Sequence, residues 1–123
     1  MAKILIVDDD IQTTDMLEMI LSAAGYETIS ETDSSKAMQA ADSVNPDLVI
    51  LDLMMPEPDG FKLCRMLRAH PKFAHGPILI VTALNDSDSR VIAYGAGASD
   101  YITKPYQVDE LTQRVKALIN KTG

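Results

Sequence analysis

A chain of 123 residues, 46% apolar and 24% charged, has the size and composition of one compact domain, which excludes disorder as its main state. Eighteen acidic residues against eleven basic ones give a net charge of −7 and a pI near 4.6, which speaks against an electrostatic grip on nucleic acid or on an anionic membrane. A single cysteine, Cys64, excludes an internal disulfide and a cysteine-based zinc cluster and fits a reducing compartment, so a soluble, cytoplasmic protein is expected; the stretch before Asp8 is too short for a signal peptide and no apolar run approaches a membrane span.

Lys3–Val7 (KILIV) predicts a strand covered on both faces, because it is continuously apolar after its lysine. It runs into Asp8-Asp9-Asp10, of which Asp10 reads as the cap of a following helix. There Leu17, Ile20, Leu21 and Ala24 recur at i, i+3, i+4 and i+7, and Gly25 is placed to end the helix. Glu27–Glu31 (ETISE) alternates as an edge strand does, and Ser34–Val44 is an Ala-rich helix started by Asp33 or Ser34. Asp47–Leu51 (DLVIL) is a second buried strand and ends at Asp52. After a loop marked by Pro56 and Pro58, a helix over Asp59–Arg68 carries Leu63 and Leu67 at i, i+4; Cys64 and the methionines read as core filler. His70 and His75 read as surface residues.

Pro77–Val81 (PILIV) is the third buried strand and leads to Thr82. A helix with a weak apolar face follows over about Asp86–Gly95. Asp100–Thr103 (DYIT) is polar enough for the other edge, with Tyr101 half-buried, and it leads to Lys104-Pro105. Val108, Leu111, Val115, Leu118 and Ile119 form the stripe of a fifth helix. Five strand–helix units without a second sheet imply an α/β fold with a doubly wound parallel sheet, built as one domain over 1–123.

Open parallel sheets bind ligands beyond the carboxyl ends of their strands, where this sequence places Asp8, Asp9, Asp52, Thr82 and Lys104. If the first and third strands are neighbours, their ends lie about 5 Å apart and the three carboxylates share a small volume. Two unit charges at 4 Å repel by roughly 4 kcal/mol at an effective dielectric near 20, more than Lys104 alone can offset. Oxygen donors without His or Cys select a hard divalent cation, and room for phosphate and water favours Mg2+ over Ca2+. Carboxylate, metal, hydroxyl and ammonium together read as a phosphoryl site: an Asp attacks phosphorus to form an acyl phosphate, Mg2+ and Lys104 offset charge on the equatorial oxygens, and Thr82 donates to one of them. The chain has no glycine-rich loop or Walker-type lysine to bind a nucleoside triphosphate.

ILIVDDD, DLVILDLMMPEPDG, ILIVTA and GASDYITKP, in that order, resemble the receiver domain of two-component response regulators over essentially the whole chain, from Lys3 to about Asn120. The resemblance implies a flavodoxin-like (βα)5 fold with strand order 2-1-3-4-5. It implies that Asp52 is the phosphoacceptor, that Asp9, Asp52 and the carbonyl of Met54 bind Mg2+ directly with Asp8 acting mainly through water, and that Thr82, Ala83 and Lys104 contact the phosphoryl group. Tyr101 takes the aromatic switch position, and Lys104-Pro105 is a cis peptide bond. The implied partners are a sensor histidine kinase or histidine phosphotransfer protein as donor and an effector or output domain as reader of the fourth helix, fifth strand and fifth helix. The implied chain turns over no external substrate and carries no output domain of its own. Arg90, Asp100, Glu110 and Arg114 put both charge signs on that reading surface, which suits a symmetric homodimer.

Two rival readings fail on particular residues. A Mg2+-dependent phosphatase resembling the haloacid dehalogenase family would use Asp8 as nucleophile in Asp8-x-Asp10, but Gln12 stands where that motif has Thr or Val, no cap insertion exists, and Asp52 goes unused. A flavin carrier needs a phosphate-binding loop after the first strand, where three carboxylates stand instead. Met54 and Leu84, two positions after Asp52 and Thr82, are apolar and are expected to shield the acyl phosphate from water.

Overall fold

The computed structural model describes residues 1–122, with side chains through Lys121. Five strands, β1 (Lys3–Val7), β2 (Glu27–Glu31), β3 (Leu48–Leu51), β4 (Ile78–Thr82) and β5 (Asp100–Thr103), alternate with helices α1 (Ile11–Ala23), α2 (Ala37–Val44), α3 (Gly60–Ala69), α4 (Ser87–Gly95) and α5 (Val108–Thr122). All strand pairs are parallel and the order is β2-β1-β3-β4-β5, so the two strands with the least apolar sequences lie at the edges.

Strand alternation divides the core into two layers. Ile4, Ile6, Leu48, Ile50, Leu79, Val81 and Ile102 pack with Leu17 and Leu21 of α1 and with Leu111, Val115 and Leu118 of α5. Leu5, Val7, Val49, Leu51, Ile78, Ile80 and Tyr101 pack on the other face with Ala37 and Ala41 of α2, Leu63, Cys64 and Leu67 of α3, and Ala93 of α4. Each large aliphatic side chain so buried contributes about 1.5–3 kcal/mol. The α4 helix buries only Ala93, which makes it the most weakly anchored of the five helices along its length.

Aspartates begin the helices next to the strand ends. Asp10 caps α1 by accepting from Gln12 N at 3.1 Å, Asp59 caps α3 through Lys62 N, and Asp86 caps α4 through Ser89 N. Ala24 is the exposed C-cap of α1 and not part of its buried stripe; Gly25 turns the chain at φ +99°, a conformation open to glycine. The segment 34–44 is not one helix: Ser34–Lys36 is a 3-10 turn capped by Asp33, and α2 proper starts at Ala37. A further 3-10 turn, Pro71–Phe73, buries Phe73 and has no periodic apolar signal in the sequence. His70 caps that turn with Nδ1 and is only partly exposed, whereas His75 is on the surface.

The methionines are not core filler as a group. Met16 and Met19 point outward because Leu17 and Leu21 occupy the inner face of α1, and Met54 and Met66 are also exposed, leaving Met55 as the buried one; Cys64 is fully buried as expected. Among the described residues no helix is long and apolar enough to cross a membrane.

Candidate functional site

The register of the sheet brings the chemistry-bearing residues to one level. Val7 of β1 lies opposite Leu51 of β3, so Asp8 and Asp52 are the next residues on adjacent strands, and Asp52 N donates to Val7 O at 3.1 Å. Thr82 lies opposite Thr103, so Lys104 follows directly, with its amide donating to Thr82 O at 2.8 Å. Lys104-Pro105 is cis, as the resemblance implies, and so is Glu57-Pro58.

Asp8 and Asp52 are 2% and 7% exposed and share one ammonium: Lys104 Nζ lies 2.9 Å from Asp8 Oδ2 and 3.2 Å from Asp52 Oδ2. The remaining oxygens accept main-chain amides, Asp10 N on Asp8 Oδ1 at 3.0 Å and Met54 N on Asp52 Oδ1 at 3.1 Å. Two buried carboxylates against one cation leave an unneutralised negative charge. Burial pushes the Asp8 carboxyl above its ordinary value, against the lowering by the Asp10 amide and Lys104, and the Asp52 charge adds to the rise. Burial alone would lower Lys104, but its hydrogen bond to Asp8 and the charges of Asp52 and Asp8 outweigh that and hold it above the ordinary lysine value.

Asp9 differs from its neighbours. It is exposed, and its carboxylate has no hydrogen-bond or ion-pair partner among the described residues. The expectation that Asp8, Asp9 and Asp52 crowd one volume is therefore corrected: among the described residues no three His, Cys, Asp or Glu side chains are grouped to hold a metal ion. Beyond the end of β1 Asp8 is buried against Lys104, which bonds both Asp8 and Asp52, while Asp9 is exposed. The buried carboxylates of Asp8 and Asp52 and the exposed one of Asp9 offer oxygen donors only, which suits an ion retaining much of its water, as Mg2+ does.

Thr82 is fully buried and its Oγ1 accepts from Leu84 N at 3.4 Å, which leaves the hydroxyl proton without an acceptor among the described residues. The same residue, Leu84, accepts from Tyr101 Oη at 2.6 Å. Thr82 and Tyr101 are thus both bonded to the main chain of one residue, Leu84, through its N–H and its carbonyl. Tyr101 is 2% exposed, not half-buried, because α4 covers the edge strand: the Arg90 guanidinium lies 4.6 Å from the ring centroid and the Tyr94 ring 6.4 Å away. Neither Leu84 nor Arg90 carries a sequence signal for this role, since one acts through its main chain and the other through stacking.

Ala83 and Met54 are exposed, Met54 by 54%, and Leu84 is partly buried. Gly60 at the start of α3 lies against the site's backbone: a Cβ there would overlap the Asp52 carbonyl oxygen and come within 2.6 Å of Leu53 Cα.

The raised Asp8 pKa has a consequence for pH. The folded state binds the proton more tightly than the unfolded one, so this group favours folding below its unfolded pKa, near 3.8, and loses that contribution as pH rises through the higher folded value. Without divalent cations, Asp8→Asn is expected to melt about 2–6 °C above the parent at pH 7, and the advantage is expected to shrink as pH approaches 3.8. Thermal melts in chelator across that range measure it; a pH-independent difference would contradict the assignment.

Residues 4–116 match the family model for the response regulator receiver domain. The chain is 40% identical over 122 residues to the DNA-binding dual master transcriptional regulator RpaA of Synechocystis sp., covering 99% of this chain and 51% of that protein. It is 37% identical over 120 residues to the alkaline phosphatase synthesis transcriptional regulatory protein PhoP of Bacillus subtilis, covering 98% of this chain and 49% of that protein. It therefore spans about half the length of these relatives. Among solved structures, the BeF3-activated N-terminal receiver domain of RstA from Klebsiella pneumoniae superposes with a TM-score of 0.90 at 32% identity, covering 95% of this chain and 97% of that one.

Proposed function

The chain belongs to the response regulator receiver domain family, and on that footing we propose that it is a phosphorylation-controlled switch that takes a phosphoryl group onto Asp52 from a histidine kinase or histidine phosphotransfer protein. The observation that carries this reading is the buried Asp8–Lys104–Asp52 arrangement beside a buried Thr82 with a spare hydroxyl proton. An Asp52 oxygen forms the new bond to phosphorus as the bond to the donor's imidazole breaks. Lys104 then shifts its ammonium from the carboxylate to a phosphoryl oxygen, Thr82 donates to a second, and the Ala83 amide serves a third. Asp9, Asp52 and the Met54 carbonyl hold Mg2+ in this reading, with Asp8 acting through water; the ion supplies charge neutralisation at the phosphoryl oxygens. The chain catalyses only its own phosphorylation and its reversal, without turnover of an external substrate.

The output surface is α4, β5 and α5, where Val91, Ile92 and Tyr94 are exposed. Relatives named as transcriptional regulators support an output domain acting on transcription, the net charge of −7 supports a receiver that itself touches neither nucleic acid nor membrane, and the single cysteine suits the reducing cytoplasm. A homodimer through the same surface would have to use its apolar residues or re-pair its charges. Arg114 already binds Asp100 at 2.7 Å and Glu110 at 3.6 Å within one chain, and Arg90 lies on Tyr101.

Beryllofluoride with Mg2+ tests the reading: fluorine NMR should show one adduct per chain, and no adduct at millimolar Mg2+ would remove it. Thr82→Ala should still form the adduct, since the nucleophile and Lys104 remain. It should lose most of the adduct-induced amide shifts at Leu84, Arg90 and Tyr101, because the link through Leu84 is cut. Equal shifts in both proteins would mean that the signal reaches β5 by another route.

A further inference from the structure

The segment 53–59 carries the main-chain groups nearest the Asp52 carboxylate, and its anchoring is sparse. Leu53 O accepts both Met55 N and Gly60 N, which closes the segment on itself, and Met55 sinks its side chain into the core. Among the described residues one hydrogen bond ties the segment to a distant part of the fold: Ser34 Oγ donates to Pro56 O at 2.8 Å across 22 positions of sequence. Ser34 is itself 5% exposed and is fixed in the 3-10 turn that Asp33 caps, so its hydroxyl is a rigid donor. Pro56 is two residues from Met54, whose amide donates to Asp52 Oδ1.

The geometry points to Ser34 as a positioning residue for the phosphoryl and Mg2+ site. By holding the Pro56 carbonyl it sets the path of the chain from Asp52 through Met54 and so orients the Met54 carbonyl and the Asp52 carboxylate before any ligand arrives. This inference rests on the proposed Mg2+-dependent phosphorylation of Asp52 and adds a residue to it from the other side of the fold. A hard cation with strict geometry and an in-line attack both lose efficiency when a ligand is free to wander, so loosening this tether should be read first in metal affinity.

The test compares the parent with Ser34→Ala, with Ser34→Cys, which keeps the volume but weakens the donor, and with Ser35→Ala, whose hydroxyl binds Asp33 and not the segment. Mg2+ is titrated against the amide NMR signals of Asp52 and Met54, and thermal midpoints are taken in chelator. Ser34→Ala and Ser34→Cys should weaken Mg2+ binding about three- to tenfold, the worth of one hydrogen bond, while Ser35→Ala binds as the parent does. Saturating Mg2+ should restore beryllofluoride adduct formation in both Ser34 variants. Should Ser34→Ala fail to fold, Ser34→Cys carries the same expectation. A lower melting point with unchanged Mg2+ affinity would reduce Ser34 to a structural contact and overturn the inference, leaving the Asp52 reading intact. A parent protein that binds no Mg2+ would overturn both.

Discussion

Asp52→Asn is expected to take up no phosphoryl group from acetyl phosphate and Mg2+, and to melt at or above the temperature of the parent. The two halves have one cause. Asp52 is buried at the carboxyl end of β3, directly after Leu51, which pairs with Ile80 of β4, and among the described residues it is the carboxylate held by the Met54 amide, so a neighbour is not expected to replace it as nucleophile. It is also one of two buried acids competing for Lys104, and the amide keeps an oxygen for the Met54 N–H while removing a charge that repels Asp8. Intact-mass spectrometry and a thermal melt in the same buffer read both. A labelled Asp52→Asn protein would move the nucleophile elsewhere, and a large loss of stability would show that Asp52 serves the fold more than the chemistry.

Lys104→Met is expected to cost about 3 kcal/mol of stability at neutral pH without divalent cations, because it leaves Asp8 and Asp52 buried with no counter-charge. The methionine retains the stem's volume, so lost packing adds little. Mg2+ should restore more stability to this variant than to the parent, since the ammonium no longer competes for the carboxylates. Phosphoryl uptake should nevertheless fall by at least about tenfold, as removal of one preorganised charge at the transferring group does. Melts with and without Mg2+, together with labelling rates, separate the structural and chemical roles. Equal Mg2+ stabilisation in both proteins would argue that Lys104 and the metal do not share ligands.

The sheet was legible because β1, β3 and β4 are continuously apolar and β2 and β5 are not, a pattern that only a parallel sheet with two covered faces and two edges explains. The placement of Asp8, Asp52, Thr82 and Lys104 followed from the rule that such sheets use their carboxyl ends. What escaped was set by groups that composition does not encode. Asp8 and Asp9 are the same residue type, yet one is buried against Lys104 and the other is exposed, a difference made by the distant Lys104. Tyr101 sits on a polar edge strand, and its burial comes from Arg90 and Tyr94 of a helix whose own apolar face is weak. Met16 and Met19 are as apolar as Leu17 and Leu21, but helical geometry gives the inner face of α1 to the leucines. Ser34 reads as a helix start, and nothing local indicates that its hydroxyl reaches Pro56.

The most direct test of a phosphoryl switch centred on Asp52 is to locate the modification itself. The protein is labelled with acetyl phosphate in Mg2+, the acyl phosphate is reduced with borohydride to fix its position, and peptides are mapped by mass spectrometry. One modified residue, Asp52, is expected, with labelling lost when Mg2+ is chelated. Modification of Asp8 in its place would revive a phosphatase-like chemistry at the end of β1, and no modification at all under these conditions would contradict the switch.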